Sequence, residues 1–209
     1  MADPTENENP GPDPTRERIF RAAKEKFLRV GFSRVPIEEV CADLRIAKKT
    51  FYKHFRNRDD LVLAIVLDNM SRFAPALEAT FQSDLPAPKM IEAYLDFFRD
   101  TISRNISEAF MEDVEIHMPE LWEKITSFRR AIISRFEQIL ERGVAEGTIH
   151  PDVDPRTYTR MILAIVDTVA VGSFMRRNDV TLAEIMRVAK RMFVVGLRPD
   201  LPSEGSHAE

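Results

Sequence analysis

Apolar residues recur at steps of three and four along most of the chain, which is the spacing of one face of an α-helix. In the first such segment Ile19 and Phe27 share a stripe, Asp13 or Thr15 is placed to cap the start, and Gly31 to end it. Only seven glycines occur, and no Asn-Gly or Asp-Gly pair marks a β-hairpin. The pattern predicts an all-α protein of about nine helices.

Two short helices follow the first. The second begins at Pro36, whose fixed φ suits a first turn, and it ends before a tight turn at residues 45–46. The third, over residues 47–55, has only Phe51 and Phe55 at core spacing. Its other side chains point outward and form a cationic, aromatic-bearing face. They are Lys48, Lys49, Thr50, Tyr52, Lys53 and His54.

A longer fourth helix follows Asn57, a residue type that caps helices. The run from Leu61 to Leu67 is apolar on nearly every side, so it must be buried against more than one neighbour. This suits a connector between two domains. Beyond it, proline- and glycine-containing breaks predict further helices of about 17 to 29 residues.

The charge is unevenly distributed along the chain. A net charge of −4 would argue against a nucleic-acid partner if it were evenly spread. Residues 1–14, however, hold four acids and no bases, and residues 15–60 hold thirteen Lys/Arg against seven Asp/Glu. The remainder holds seventeen against twenty-three. A basic segment on an acidic body predicts binding to polyanions, because phosphate neutralisation supplies most non-specific DNA affinity.

A helix, a tight turn and a second helix with an exposed basic face are the parts of a DNA-binding helix-turn-helix. The first helix braces the second, which enters the major groove. The alternative is a helical hairpin with a solvated basic face, since this geometry recurs in proteins that contact no DNA. A homeodomain is excluded because its recognition helix carries an asparagine, and none lies between Ala47 and Phe55.

The stretch from Ile19 to Val66 closely resembles the N-terminal domain of the TetR (tetracycline-repressor-like) family of transcriptional regulators. The matching marks are Ala22-Ala23 and Phe27 before Gly31-Phe32, the spacing of Ile37 and Val40, and Thr50-Phe51-Tyr52-Lys53-His54-Phe55 followed by Arg58 and Asp60-Leu61. The resemblance implies a three-helix DNA-binding domain, followed by a helical domain that binds an effector and dimerises.

The resemblance also implies which side chains contact DNA. Four on the third helix face bases or the edge of the groove, Tyr52 and His54 approach phosphates, and Arg58 binds another phosphate. The predicted set is Arg45, Ala47, Lys48, Lys49, Thr50, Tyr52, Lys53, His54 and Arg58. Phe51 and Phe55 are expected in the core.

Three positions depart from the family's usual pattern. Arg45 stands where glycine is common in the turn, Ala47 replaces a serine or threonine cap, and Lys49 replaces a frequent glycine. Losing the cap costs about 1 kcal/mol of local helix stability. The two added cations predict a compensating contact with DNA, and hence an operator unlike those of typical relatives.

The C-terminal part resembles the family only in its layout. Its last two helices are expected over residues 155–176 and 182–197, and by resemblance they form a four-helix interface with a second copy. A dimer places two recognition helices on a palindrome. The alternative for these helices is ordinary core. The predicted interface residues are Met161, Ile165, Val169, Gly172, Ile185, Ala189, Met192 and Phe193.

The middle helices carry bulky side chains that can line an apolar pocket for a small-molecule effector. Any one of them suits ordinary core as well. The predicted lining is Phe73, Tyr94, Phe97, Phe98, Phe110, Met111, His117, Trp122 and Phe128. Asp113 and His117 share a helix face, which fits a solvated helix end better than a metal site. We predict no metal and no cofactor.

Other classes of protein lack their signatures here. No Gly-rich phosphate loop, Gly-x-Ser-x-Gly elbow or His-Glu-x-x-His motif occurs, so we predict no enzyme. The single cysteine, Cys41, excludes an internal disulfide framework and fits a reducing compartment. The acidic start lacks the pattern of a signal peptide, and no segment reaches the roughly 20 apolar residues that cross a bilayer. Cytoplasm is the expected location, without a membrane partner.

Together these features predict a ligand-responsive, DNA-binding transcriptional regulator. The default is a repressor that a small, largely apolar effector releases from a palindromic operator. The expected organisation is a disordered acidic arm at 1–14, the helix-turn-helix domain at 15–60, the effector-binding and dimerisation domain at 61–200 and a polar tail at 201–209. The remaining alternative is a helical protein that binds ligands or partners and has lost DNA binding.

Overall fold

The computed structural model describes residues 13–97, 99–100, 106–169 and 171–201, which form helices joined by turns and short loops. The fold is all-helical, as the sequence predicts. In chain order the α-helices are α1 Pro14–Val30, α2 Ile37–Leu44, α3 Lys48–His54, α4 Arg58–Phe81, α5 Ala87–Phe97, α6 Glu108–His117, α7 Pro119–Ser134, α8 Phe136–Ala145, α9 Pro155–Val169, α10 Gly172–Asn178 and α11 Leu182–Val195.

Local signals set ends of α1, α2 and α4. Asp13 caps α1 by accepting the backbone N–H of Thr15 at 2.9 Å. Asn57 caps α4 in the same way, by accepting the N–H of Asp60 at 2.8 Å. Pro36 immediately precedes α2, and Gly31 follows α1 with φ 86°. The sequence prediction of these helix ends is confirmed.

Two hydrophobic cores lie along α4. Leu61 and Ile65, in its first half, pack into the core of α1, α2 and α3, to which α6 and α7 add Phe110 and Leu121. Leu77, near its other end, packs into the core of α5, α8, α9 and α11. The run from Leu61 to Leu67, on which the connector prediction rests, contributes its buried residues to the first core and ends at Leu67, which is 49% exposed. Leu77, outside that run, brings α4 into the second core.

The helices after α4 are shorter than expected, and the prediction of about 17 to 29 residues is wrong for them. The single helix expected over residues 155–176 is two helices, α9 and α10, with a 71° bend between them. Val171 is extended there, with φ −123° and ψ 142°. The bend seats Gly172 against the backbone of Glu112 on α6, where a Cβ added to the glycine would lie 2.5 Å from the Glu112 nitrogen. A tertiary contact thus ends the helix where the local pattern continues.

Within the described ranges, no single helix combines the length and the apolar character of a membrane span. The bent pair α9 and α10 has the length and apolar character of a span only when the two helices are counted together.

Candidate functional site

Helix α3 presents its polar face outward because two aromatic side chains hold its other side. Phe51 is fully buried and Phe55, just after the helix, is 1% exposed, with their ring centroids 5.9 Å apart. The prediction that both belong to the core is confirmed. On the opposite side Tyr52 is 53% exposed, and Lys49 and Lys53 are exposed as well. Thr50 lies half-buried between the two sides.

Other residues predicted to contact DNA interact within the domain. Lys48 forms an ion pair with Glu38 of α2, and this hydrogen bond raises the pKa of Lys48 and lowers that of Glu38. His54 has its Nδ1 3.3 Å from a carboxylate oxygen of Asp13. Arg58 donates to the carbonyl of Phe32 at 3.3 Å, and its guanidinium lies 5.3 Å from the centre of that ring. These three side chains border the exposed face.

The turn before α3 has the backbone of a glycine-type turn without the glycine. Arg45 ends α2 in the left-handed region, with φ 53° and ψ 45°. Its N–H donates to the carbonyl of Ala42 at 3.1 Å, and Ile46 donates to Cys41 at 3.0 Å. Ala47 then begins α3 without a side-chain cap. Arg45 and Ala47 are both exposed next to the cationic face.

A second candidate site is an internal cavity of about 130 Å³ between α4 and the helices that follow it. The predicted pocket residues that line it are Phe73, Tyr94, Phe110, Met111 and Phe128. Many of the other lining side chains are aliphatic, which a sequence pattern does not distinguish from core. The polar side chains in the wall are Asn69, Tyr94 and Arg129, and among the described residues no acidic side chain lines the cavity.

Other residues of the predicted pocket lie elsewhere. Phe97 packs behind the wall, with its ring 5.8 Å from that of Phe73. Trp122 packs against the core of α1 to α3. His117 is exposed at the end of α6, where its ring is 6.2 Å from that of Phe32. These three fail to line the cavity because their helix faces turn toward other neighbours, and Phe98 lies outside the described residues.

Arg129 is, together with Asn69, a polar residue of the cavity that sequence reasoning missed. It is 6% exposed, and its Nη2 lies 3.3 Å from Asp167 on α9, which also accepts from Arg130 at 2.8 Å. Burial lowers the pKa of Arg129, and Asp167 offsets part of that effect. Burial also raises the pKa of Tyr94, so its hydroxyl stays neutral. The sequence signal that could have identified Arg129 is its position: it is a cation at a place in α7 where the helical spacing predicts an apolar residue.

Helix α6 connects the cavity to the N-terminal helices. Phe110 and Met111 line the cavity. On another face Asp113 accepts from the backbone N–H of Ser33 at 2.8 Å and from its hydroxyl at 2.7 Å. Asp113, which the sequence pairs with His117, thus binds the loop between α1 and α2. Glu115 accepts from the N–H and hydroxyl of Ser173 at 3.1 and 2.8 Å, which ties α6 to α10 as well.

The residues predicted for a dimer interface fall into two groups. Met161 and Met192 are 57% and 59% exposed, and Ile165, Val169 and Ile185 are half-buried. The buried group is Gly172, Ala189 and Phe193. These three belong to the interior of one protomer, as Gly172 lies against α6 and the other two line the cavity. Val188 and Val195 of α11 are exposed but were not predicted.

Two family models match the chain. The model described as "Bacterial regulatory proteins, tetR family" covers residues 19–65, and "Tetracyclin repressor-like, C-terminal domain" covers residues 88–171. The first range closely matches the stretch that carries the sequence resemblance. The second covers much of the part that resembled the family only in layout.

Similar characterised proteins are regulators. The HTH-type transcriptional regulator TcmR of Streptomyces glaucescens is 27% identical, over 90% of this chain and 84% of that protein. UidR of Escherichia coli K12, also an HTH-type transcriptional regulator, is 22% identical over 88% and 90%. The fatty acid metabolism regulator protein of Bacillus subtilis is 19% identical over 88% and 96%.

Solved structures share the fold. A TetR-family transcriptional regulator from Agrobacterium tumefaciens superposes with a TM-score of 0.66 at 15% identity, covering 88% of this chain and 97% of that one. FadR from Bacillus subtilis, solved with stearoyl-CoA, has a TM-score of 0.62 at 18% identity, covering 87% and 99%.

Proposed function

Since the chain belongs to the TetR family of bacterial transcriptional regulators, we propose that it is a homodimeric repressor that leaves a palindromic operator when a small, largely apolar effector enters the cavity. The observation that carries this proposal is the exposed cationic face of α3 on its two buried phenylalanines. A regulator of this kind acts on DNA without a chemical step, and we place it in the cytoplasm.

The face of α3 supplies the DNA contacts in this proposal. Lys49, Tyr52 and Lys53 are accessible enough to reach base edges and phosphates in the major groove. Lys48 exchanges Glu38 for a phosphate, and Thr50 and the exposed turn residues Arg45 and Ala47 border the same groove. His54 and Arg58, at the end of α3 and the start of α4, bind backbone phosphates.

The dimer interface forms on the exposed apolar stripe of α9 and α11. Ile185, Val188, Met192 and Val195 follow one another at spacings of three and four on α11, and Met161 and Ile165 do so on α9. Val169 lies at the end of the same helix. A second copy related by a two-fold axis buries the same stripe on both protomers, which removes the apolar area from water.

Helix α6 couples the effector to DNA. A ligand in the cavity presses on Phe110 and Met111, and Asp113 of the same helix holds Ser33 beside the DNA-binding helices. The ligand lowers DNA affinity only if it prefers the arrangement in which the two recognition helices are wrongly spaced. Repression relieved by the effector is the expected direction.

The test is DNA binding as a function of salt, with fragments selected from the source genome. We expect Lys49→Ala to weaken binding and to reduce the slope of log affinity against log salt by about 1, because one phosphate contact is lost. Lys89→Ala, at an exposed lysine of α5, is the matched control and should leave both unchanged.

If the unaltered protein binds no duplex in dilute buffer, the chain is instead a helical ligand- or partner-binding protein. If Lys49→Ala leaves both affinity and slope unchanged, the contact assigned to Lys49 does not exist.

A further inference from the structure

We propose that the effector is a compact apolar carboxylic acid, with a body the size of one aromatic ring in the cavity and its carboxylate bound by Arg129 and Asn69. The inference rests on the proposed function, because it specifies the ligand of the same cavity. It depends on the polar groups in the wall, the charge they carry and the volume they enclose.

Every polar side chain in the wall can donate a hydrogen bond. Arg129 is a donor only, while the amide of Asn69 and the hydroxyl of Tyr94 can donate or accept. Asn69 is 8% exposed, and its amide forms no hydrogen bond with any residue that the structure describes. A ligand that supplies an acceptor can therefore form a hydrogen bond with Asn69 that the described residues do not form. The lining thus favours a ligand with hydrogen-bond acceptors.

The charge in the wall favours an anion. Arg129 is 6% exposed, and in the described part of the chain no Asp or Glu side chain lines the cavity. Asp167, the ion-pair partner of Arg129, lies outside the lining. A guanidinium matches the planar geometry of a carboxylate, and such charge-assisted hydrogen bonds are among the strongest in proteins. A cationic ligand would gain no such hydrogen bond, because a guanidinium only donates.

The volume limits the size of the apolar body. The cavity measures about 130 Å³, and an engineered apolar cavity of about 150 Å³ binds benzene. The aromatic rings of Phe73, Phe110 and Phe128 offer edges and faces for a ring of that size. One ring bearing a carboxylate that reaches Arg129 in the wall satisfies volume, charge and hydrogen bonding together.

Benzoate, benzamide and benzylamine test the inference, because they have nearly the same size and differ in charge. Trp122 is the single tryptophan of the chain, and its ring lies 5.9 Å from the guanidinium carbon of Arg129. Binding near Arg129 therefore changes the tryptophan fluorescence of the full-length protein. We expect benzoate to bind about tenfold or more tightly than benzamide, and benzylamine more weakly than both. Equal binding of benzoate and benzamide overturns the proposal, as does the absence of binding by either.

Variants then locate the carboxylate. Arg129→Gln should abolish the preference for benzoate over benzamide. Arg130→Gln is the matched control, since Arg130 is the next residue, shares Asp167 and does not line the cavity, and it should keep the preference. A preference that survives Arg129→Gln, or that both variants abolish, overturns the assignment. If Arg129→Gln does not fold, as judged by its circular dichroism, the comparison of the three probes on the unaltered protein still decides.

DNA binding separates this inference from the proposed function. If benzamide binds as tightly as benzoate and either one lowers operator affinity, the proposed regulator function is kept and the preference for a carboxylic acid is rejected. If benzoate is preferred through Arg129 but leaves operator affinity unchanged, the cavity does bind carboxylic acids, and the proposal that such a ligand releases the protein from DNA is rejected.

Discussion

Arg45 adopts a backbone conformation that is costly for a residue with a Cβ. Its backbone lies in the left-handed region at φ 53°, which side chains with a Cβ occupy at a cost of about 1–2 kcal/mol. The sequence identified the position, since glycine is common there in the family that the chain resembles. The structure shows that the turn keeps its glycine-type geometry with arginine in place.

We expect Arg45→Gly to raise the free energy of unfolding by up to about 1 kcal/mol, because the strain exceeds the entropy that glycine loses on folding. The same change should weaken DNA binding, because a cation leaves the edge of the proposed interface. Urea denaturation and operator titration measure the two effects. Asp179→Gly, at the other described non-glycine residue with positive φ, is the control and should leave DNA affinity unchanged. An unchanged free energy of unfolding in Arg45→Gly would contradict the backbone strain assigned to Arg45.

At the scale of elements, α6 contacts both halves of the molecule through two acidic side chains. Asp113 and Glu115 point to different neighbours, Ser33 and Ser173, which lie 80 and 58 residues away along the chain. Such contacts are invisible to periodicity, which identified Asp113 only by its spacing from His117.

Asp113→Ala should destabilise the protein by about 1–3 kcal/mol, because it leaves the backbone N–H of Ser33 without its charged acceptor. It should also reduce the change in operator affinity that an effector produces, since the proposed link between α6 and Ser33 is lost. Glu115→Ala is the control on the same helix, which weakens the contact with α10 but keeps Ser33 bound. An effector response of normal size in Asp113→Ala would rule out this link.

The bend between α9 and α10 gives a second prediction at this scale. Gly172→Ala places a methyl group within 2.7 Å of the Glu112 Cα, so the backbones must separate. Overpacking of this kind costs about 1–3 kcal/mol, measurable as a lower denaturation midpoint. Gly196→Ala is the control, because Gly196 has the helical φ of −66° and an added Cβ would lie 3.1 Å from its nearest neighbour, the Met192 carbonyl oxygen. It should change stability by about 0.5 kcal/mol or less. Equal effects of the two substitutions would show that the close contact with Glu112 does not cause the loss of stability.

For the whole molecule, the apolar stripe on α9 and α11 predicts the assembly. Met192→Glu places a charge on the stripe of both protomers, so we expect the dimer to dissociate and operator binding to be lost with it. Sedimentation and operator titration give the two readouts. Ile116→Glu is the matched control, since Ile116 is 57% exposed on α6, and it should remain dimeric. A dimeric Met192→Glu would place the interface elsewhere, and a monomeric unaltered protein would overturn the proposed dimer.

The sequence by itself determined the features that depend on neighbours a few residues apart. The side chains of Asp13 and Asn57 cap helices by accepting backbone N–H groups two or three residues further along the chain. Phe51 and Phe55 anchor α3 because four residues are about one helical turn. The basic charge of residues 15–60 likewise needs no tertiary information. The capped starts of α1 and α4, the all-helical class and the cationic face follow from such local rules.

Only the tertiary structure decided what covers each apolar face. Periodicity shows that a face is apolar but not which neighbour it meets, so Phe73 lines the cavity while Phe97 packs behind it. The same limit hid the break before Gly172 and the burial of Ala189 and Phe193 inside one protomer. Arg129 became a cavity residue because α4, α5 and α9 close around it, an arrangement of helices distant in the chain that packing alone determines.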